Sequence, residues 1–214
     1  MISALVTDFY ELTMMQGYFL QHHNPRVVFD MFYRTNPFNG GYTIFTGLEE
    51  LVTILENFRF SEEDINYLRS LGKFQESFLE YLASYRFTGD LYAFDEGTPA
   101  FPQEPLIRVE TNMLDAQLIE SVLLNTINFQ TLIATKASRM KLATKSHGSI
   151  MEFGLRRAQG MDGALSASRA CYVGGADVTS NTLAGKEFGI PVAGTMAHSW
   201  IMLFGDEYQA FRAF

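Results

Sequence analysis

Residues 149–199 read SIMEFGLRRAQGMDGALSASRACYVGGADVTSNTLAGKEFGIPVAGTMAHS, and this stretch decides the fold class. It predicts a strand over 150–153, a helix over 164–173, a helix over 182–188 and a strand over 191–194. Short buried strands that alternate with helices are typical of a parallel β/α unit, either in an open sheet or in a barrel.

The first half of the sequence follows a different pattern, in which strands lie closer together. Apolar periodicity and turn residues predict helices over 7–20, 47–58, 65–71 and 74–85, strands over 26–34, 42–45, 89–94 and 106–109, and turns over 36–41 and 97–99. Asp8 and Glu11 have the spacing of a capping box at the start of the first helix. We therefore expect an α+β domain here.

Two helices, over 113–134 and 137–145, are predicted between the N-terminal α+β segment and the β/α segment that begins at residue 149. We place the domain boundary at their start. An N-terminal α+β domain then covers 1–112, and a helical linker with an incomplete β/α barrel covers 113–214. The overall fold class is α/β.

A last helix is predicted over 199–214, with Trp200, Leu203 and Phe211 on its apolar side. Two or three parallel strands cannot close a barrel or bury both faces of a sheet. We therefore expect the sequence to end within a domain.

Composition narrows the classes of function. The chain has 214 residues, 47% of them apolar, and a formal charge of −8, which argues against nucleic acid and anionic membranes as partners. No run approaches the roughly 20 apolar residues of a membrane helix. A single cysteine, Cys171, fits a reducing cytoplasm, and no His/Cys/Asp cluster has the spacing of a metal site. His147 lies near a predicted helix end, and that position explains it without a functional role.

The segment Gly194–Ser199 follows a short apolar strand and opens a helix, which is where ligands bind in parallel β/α architectures. Thr195 offers a hydroxyl group. The imidazole of His198, one turn into the helix, suits a base, a phosphoryl acceptor or a hydrogen-bond partner. Spacing alone slightly favours the alternative, in which Thr195 caps the helix and His198 is an ordinary histidine.

Two further segments could bind anions. Gly154, Arg156 and Arg157 follow the preceding strand, and paired arginines at a strand end can hold a carboxylate or a phosphate; two solvated arginines are the equally good alternative. The loop over 174–181 contains glycines but lacks the lysine of a phosphate-binding P-loop. It is more simply a β/α connection.

Taken in order, these segments resemble the nicotinate phosphoribosyltransferase family, from about Leu5 onward. The matching strings are Thr7–Met14 (TDFYELTM), Phe38–Tyr42 (FNGGY) with Gly47-Leu48, Ala134–Ala137 (ATKA), Glu152–Ala158 (EFGLRRA), Thr179–Asn181 (TSN) and Gly194–Ser199 (GTMAHS). Each string alone is weak, and the ordered set is specific.

The resemblance implies an irregular β/α barrel of the type II phosphoribosyltransferase kind after the N-terminal domain, in a homodimer with shared active sites. The family joins nicotinate to phosphoribosyl pyrophosphate, coupled to ATP hydrolysis, in NAD biosynthesis; Mg²⁺ is expected with the pyrophosphate substrate. By analogy, ATP phosphorylates His198, Thr195 contacts nicotinate and Tyr10 of the partner subunit stacks on its ring. Arg156 and Arg157 lie near the carboxylate and phosphates. The remaining substrate-binding candidates are Phe153, Gly154 and Ser199.

Family members are more than twice as long, so the resemblance implies that the rest of the barrel, a nicotinate-binding arginine and glycine-rich phosphate loops have no counterpart here. We expect the isolated chain to be inactive. The alternatives are a nicotinamide-using phosphoribosyltransferase, a non-catalytic fragment or half of a split gene, and an unrelated phosphate-binding barrel domain.

Overall fold

The computed structural model describes residues 2–145 and 148–214, and its elements follow the two patterns of the sequence. The first part contains the helices α1 (Phe9–Leu20), α2 (Leu48–Glu56), α3 (Glu62–Ser70) and α4 (Glu76–Ala83) and the strands β1 (Arg26–Met31), β2 (Thr43–Ile44), β3 (Asp90–Ala93), β4 (Pro99–Ala100) and β5 (Ile107–Asn112). The second part contains α5 (Met113–Ala143), β6 (Met151–Glu152), α6 (Gly160–Val173), β7 (Val178–Thr179), α7 (Thr182–Phe188), α8 (His198–Phe204) and α9 (Glu207–Ala213). The predicted α/β class is confirmed. His147 lies outside the described residues.

The first part is built on a three-stranded antiparallel sheet in the order β1-β5-β3. Alternation along β5 points Ile107, Val109 and Thr111 into the core, where each is at most 4% exposed. A separate pair joins β2 to β4. The sequence assigned residues 97–99 to a turn, and this was wrong at Pro99, which begins β4.

Large aromatic side chains fill the core between this sheet and the surrounding helices. Phe45, Phe58 and Phe78 are completely buried. The predicted capping box of Asp8 and Glu11 at the start of α1 is confirmed. Burial of apolar area on this scale is the main force that holds such helices in place.

The helix α5 is one continuous element of 31 residues, so the prediction of two helices over 113–134 and 137–145 was wrong. No glycine or proline interrupts the chain between them. The intervening Thr135 has its hydroxyl satisfied inside the helix, because it donates to the Thr131 carbonyl at 2.6 Å. The same hydroxyl accepts the amide of Ile44 at 2.9 Å and ties α5 to β2.

Parallel β/α elements follow α5. Met151 pairs with Val178 and Glu152 with Thr179, and Thr179 forms a further parallel bridge with Val192. The predicted rhythm is confirmed, although the strand over 150–153 is shorter than expected and that over 191–194 is reduced to the bridge. The strand β7 was missed, because its two residues lie in what the sequence predicted as a loop.

The C-terminal segment forms a helical hairpin, so the single helix predicted over 199–214 was wrong. Gly205 takes a left-handed conformation with φ of 66° and ends α8. Asp206 then caps α9 by accepting the amide of Gln209 at 2.8 Å. The indole of Trp200 donates to the Ala210 carbonyl at 3.0 Å and closes the hairpin. Within residues 2–145 and 148–214, no helix combines the length and apolarity of a membrane span.

Candidate active site

An open cleft of about 740 Å³ lies at the carboxyl ends of β6 and β7. Ligands bind at this end of parallel β/α units because the loops that follow the strands converge there. Three segments form its walls: first the turn after β6 (153–157), second the start of α7 (180–182), and third the segment 192–198. The lining residues are Phe153, Leu155, Arg156, Arg157, Ser180, Thr182, Val192, Ala193, Gly194, Thr195, Met196, Ala197 and His198.

The first wall is the turn after β6. The Gly154 carbonyl accepts the amides of Arg157 at 2.8 Å and Ala158 at 3.1 Å, which gives the turn its 3₁₀ shape. Arg156 and Arg157 are exposed, and neither guanidinium bonds to another residue in the part of the chain that is described. Both cations are therefore available to an anion in the cleft.

Behind this wall lies a closed ring of polar side chains. The Glu152 carboxylate accepts the hydroxyl of Ser168 at 3.0 Å and that of Thr179 at 2.6 Å, and it also accepts the Gly154 amide. The Asn181 side-chain amide donates to the Ser168 hydroxyl at 3.2 Å, and the Asn181 backbone amide donates to the Thr179 hydroxyl at 3.0 Å. The ring joins β6, α6, β7 and the start of α7.

The third wall is attached to β7 through the backbone of Thr179. The Thr179 amide donates to the Pro191 carbonyl, and the Ala193 amide donates to the Thr179 carbonyl, both at 3.0 Å. These bonds place the segment 192–198 across the cleft from the two arginines.

His198 is the first residue of α8, and Ala197 is the helix cap. The alternative that Thr195 caps this helix was therefore wrong, as was the expectation that His198 lies one turn inside it. The side chains of Thr195 and His198 are exposed, and the imidazole of His198 has no hydrogen-bond partner among the described residues. An imidazole that is not engaged with the protein is free to bond or react with a ligand.

Three of the candidate residues do not line this cleft: Gly154, which lies within the turn of the first wall, Ser199 and Tyr10. Ser199 lines a neighbouring groove formed by α8 and α9. Tyr10 is 52% exposed and lies in another cleft, with Asp8, Glu11 and Glu120. Repulsion from the Glu11 carboxylate is the largest cause that raises the pKa of the Tyr10 hydroxyl. Within this chain, Tyr10 does not meet His198, and its part in the site remains a prediction.

Sequence reasoning missed Ser168 and Asn181 and gave Glu152 no role in the site. These residues lie far apart in sequence, and no motif spacing connects them. Ser180 and Thr182 line the cleft as well. Ser180 and Asn181 belong to the string Thr179–Asn181 that carries the family resemblance, and Thr182 directly follows it.

Metal binding by the protein alone finds no support in residues 2–145 and 148–214. They contain no group of three or more His, Cys, Asp or Glu side chains that could hold a metal ion.

The fold of the described residues is the one found in phosphoribosyltransferases of type II. A crystal structure of human nicotinic acid phosphoribosyltransferase superimposes with a TM-score of 0.86 and 38% identity over 92% of this chain and 40% of that one. A crystal structure of a nicotinate-nucleotide pyrophosphorylase from Pyrococcus furiosus gives 0.79 and 26% identity over 97% of this chain and 46% of that one.

Residues 5–128 match the family described as nicotinate phosphoribosyltransferase (NAPRTase) N-terminal domain, and the chain belongs to this family. A nicotinate phosphoribosyltransferase of Mycobacterium tuberculosis is 44% identical over 213 residues, which are 100% of this chain and 46% of the relative. The chain thus spans less than half the length of the curated relative.

Proposed function

We propose that this chain supplies the nicotinate- and phosphate-binding part of a nicotinate phosphoribosyltransferase. The whole enzyme would form nicotinate mononucleotide and pyrophosphate from nicotinate and phosphoribosyl pyrophosphate, with ATP hydrolysis, in NAD biosynthesis. The observation that carries the proposal is the meeting of Arg156, Arg157, Thr195 and His198 around one cleft at the strand ends. Membership of the family supports the choice of reaction.

The lining residues suit the substrates by charge and shape. Phe153 gives an aromatic face against which a pyridine ring can lie. Arg156 and Arg157 can pair with the nicotinate carboxylate or with phosphates, and they would stabilise charge as pyrophosphate leaves the ribosyl carbon. Thr195 offers a hydrogen bond to bound nicotinate.

His198 is proposed as the residue that ATP phosphorylates. A nitrogen of its imidazole would attack the terminal phosphorus of ATP, and the bond to the departing ADP would break. The added negative charge at the cleft rim could then order the neighbouring loops around the substrates. Mg²⁺ is proposed to enter with phosphoribosyl pyrophosphate, as the family resemblance implies.

The proposed assembly is a cytoplasmic homodimer in which Tyr10 stacks on nicotinate in the partner's site. Its exposure in a cleft apart from His198 is compatible with that role. We also propose domains over 1–112 and 113–214. The chain alone is expected to lack turnover, because it spans less than half of its relatives.

A chimera tests the function. This chain replaces the matched portion of the Mycobacterium tuberculosis enzyme, to which it is 44% identical. Pyrophosphate release is measured with nicotinate and with nicotinamide. We expect turnover with nicotinate, stimulated by ATP, and loss of the stimulation in His198→Ala.

A folded chimera that prefers nicotinamide, or that keeps ATP stimulation without His198, would refute the corresponding part of the proposal. Clear turnover by the 214-residue chain alone would refute its dependence on further residues.

A further inference from the structure

We propose that Glu152 is a positioning residue whose carboxylate fixes the turn that presents Phe153, Arg156 and Arg157 to the cleft. The choice of nicotinate as the ligand rests on the proposed function. The ordering of the turn does not depend on that choice and can be measured without any ligand.

The two oxygens of the Glu152 carboxylate have different partners. Oε2 accepts the Ser168 hydroxyl of α6 at 3.0 Å and the Thr179 hydroxyl of β7 at 2.6 Å. Both donor residues are 1% exposed, so this half of the carboxylate is anchored in the interior. Oε1 accepts the amide of Gly154, which is exposed at the start of the turn. The carboxylate therefore connects two buried elements to the cleft wall through charge-assisted hydrogen bonds.

The other hydrogen bonds of the turn are local. The Gly154 carbonyl accepts the amides of Arg157 and Ala158, which sets the shape of the turn but does not attach it to α6 or β7. In the described part of the chain, the bond from Gly154 to Glu152 is the side-chain hydrogen bond that reaches this turn from the buried ring. We therefore expect loss of this bond to leave the local geometry of the turn intact and to make the position of Arg156 and Arg157 in the cleft less fixed.

The test uses the 214-residue chain and three forms of it: the unchanged chain, Glu152→Gln, and Glu56→Gln as a control at an exposed position of α2. The glutamine at 152 keeps the size of the side chain. Its single carbonyl oxygen cannot replace both carboxylate oxygens as acceptors for three donors. Backbone ¹⁵N relaxation reports the order of residues 153–157, thermal melting reports the fold, and nicotinate is the ligand in a titration.

We expect order parameters of roughly 0.85 for residues 153–157 in the unchanged chain and in Glu56→Gln, falling toward about 0.6 in Glu152→Gln. Nicotinate affinity should fall about tenfold in Glu152→Gln alone, with little change in melting temperature. A folded Glu152→Gln chain whose turn stays ordered overturns the proposal, and so does a disordered turn with unchanged nicotinate affinity.

Two other results remain decisive. If the unchanged chain binds no nicotinate without the rest of the barrel, the order parameters alone decide the role of Glu152, and the chimera decides the proposed function. If Glu152→Gln does not fold, the double variant Ser168→Ala with Thr179→Val replaces it, because it removes both buried anchors of the carboxylate. Increased mobility of residues 153–157 in this double variant supports the proposal, and an unchanged turn overturns it.

Discussion

Replacing Arg169 by methionine should destabilise the chain more than any exposed ion-pair substitution. Arg169 lies on α6 and is 9% exposed. Its guanidinium donates to both oxygens of Glu96, at 3.1 and 2.6 Å, and also pairs with Glu49. Glu96 in turn accepts the amides of Gly47 and Leu48 at the start of α2. The arginine thus joins α6 to the first part of the chain.

The magnitude follows from what the substitution leaves behind. Breaking a buried ion pair by removing one partner costs about 3–5 kcal/mol, because the remaining charge is uncompensated. The Glu96 side chain is 17% exposed and keeps two backbone donors, so we expect the lower end, about 3 kcal/mol. For a chain of this length that corresponds to a fall of roughly 6–12 °C in melting temperature.

The dependence on pH gives an independent check. Burial alone would raise the pKa of the Glu96 carboxyl, but the hydrogen bonds from Arg169, Gly47 and Leu48 outweigh it and hold that pKa below its ordinary value of 4.5. A depressed carboxyl pKa contributes stability above 4.5 that is lost as the pH falls through the folded value. The difference between Arg169→Met and the unchanged chain should therefore shrink in acid.

The assay is urea unfolding at neutral and acidic pH, with Arg69→Met as the matched control. Arg69 pairs with Glu76 at 2.6 Å, but the two side chains are 45% and 57% exposed, so water screens the pair. If Arg169→Met changes the unfolding midpoint no more than Arg69→Met does, the Arg169 pair has no special weight and the reasoning is refuted.

Three further outcomes follow from particular contacts. Gly174→Ala should lower the free energy of unfolding by at least about 1–3 kcal/mol, because a Cβ would overlap the Ala134 carbonyl of α5. The control Gly163→Ala, whose Cβ would meet only a ring atom of Phe129 at 3.9 Å, should not destabilise the chain. Equal melting temperatures of the two variants would contradict this. Burial raises the pKa of the Cys171 thiol to about 12, so alkylation at pH 8 should be slow until the chain unfolds; rapid alkylation of the folded chain would count against it. Burial also raises the pKa of the Glu11 carboxyl, and the stabilising contribution of a raised carboxyl pKa is lost as the pH rises. Unfolding curves between pH 4 and 8 should therefore show Glu11→Gln becoming more stable relative to the unchanged chain, and the opposite trend would refute this.

Local sequence signals predicted the elements whose causes are local. The capping box of Asp8 and Glu11 has its partners within one helical turn, and apolar periodicity marks the helices that follow. The single helix predicted over 199–214 overlooked a local signal, because Gly205, which ends α8 in a left-handed conformation, is followed at once by Asp206, which caps α9.

One part of the candidate site could be predicted from the sequence, and another part could not. Arg156, Arg157 and His198 follow short apolar segments, and their position at one edge of a parallel unit is a consequence of β/α geometry. The ring behind them could not be predicted, because Ser168 and Asn181 belong to different helices. Only the packing of α6 on β7 brings their polar atoms within hydrogen-bond distance.

The position of β5 in the middle of its sheet bears on how the chain acquires its structure during synthesis. Arg26 pairs with Asn112 and Met31 with Ile107, so β1 must wait for a partner that is made after all of α1–α4. At about 5–20 residues per second, that delay is on the order of ten seconds on the ribosome. Throughout it, the edge of β1 and the apolar faces of the early helices stay open to chaperones or to neighbouring nascent chains.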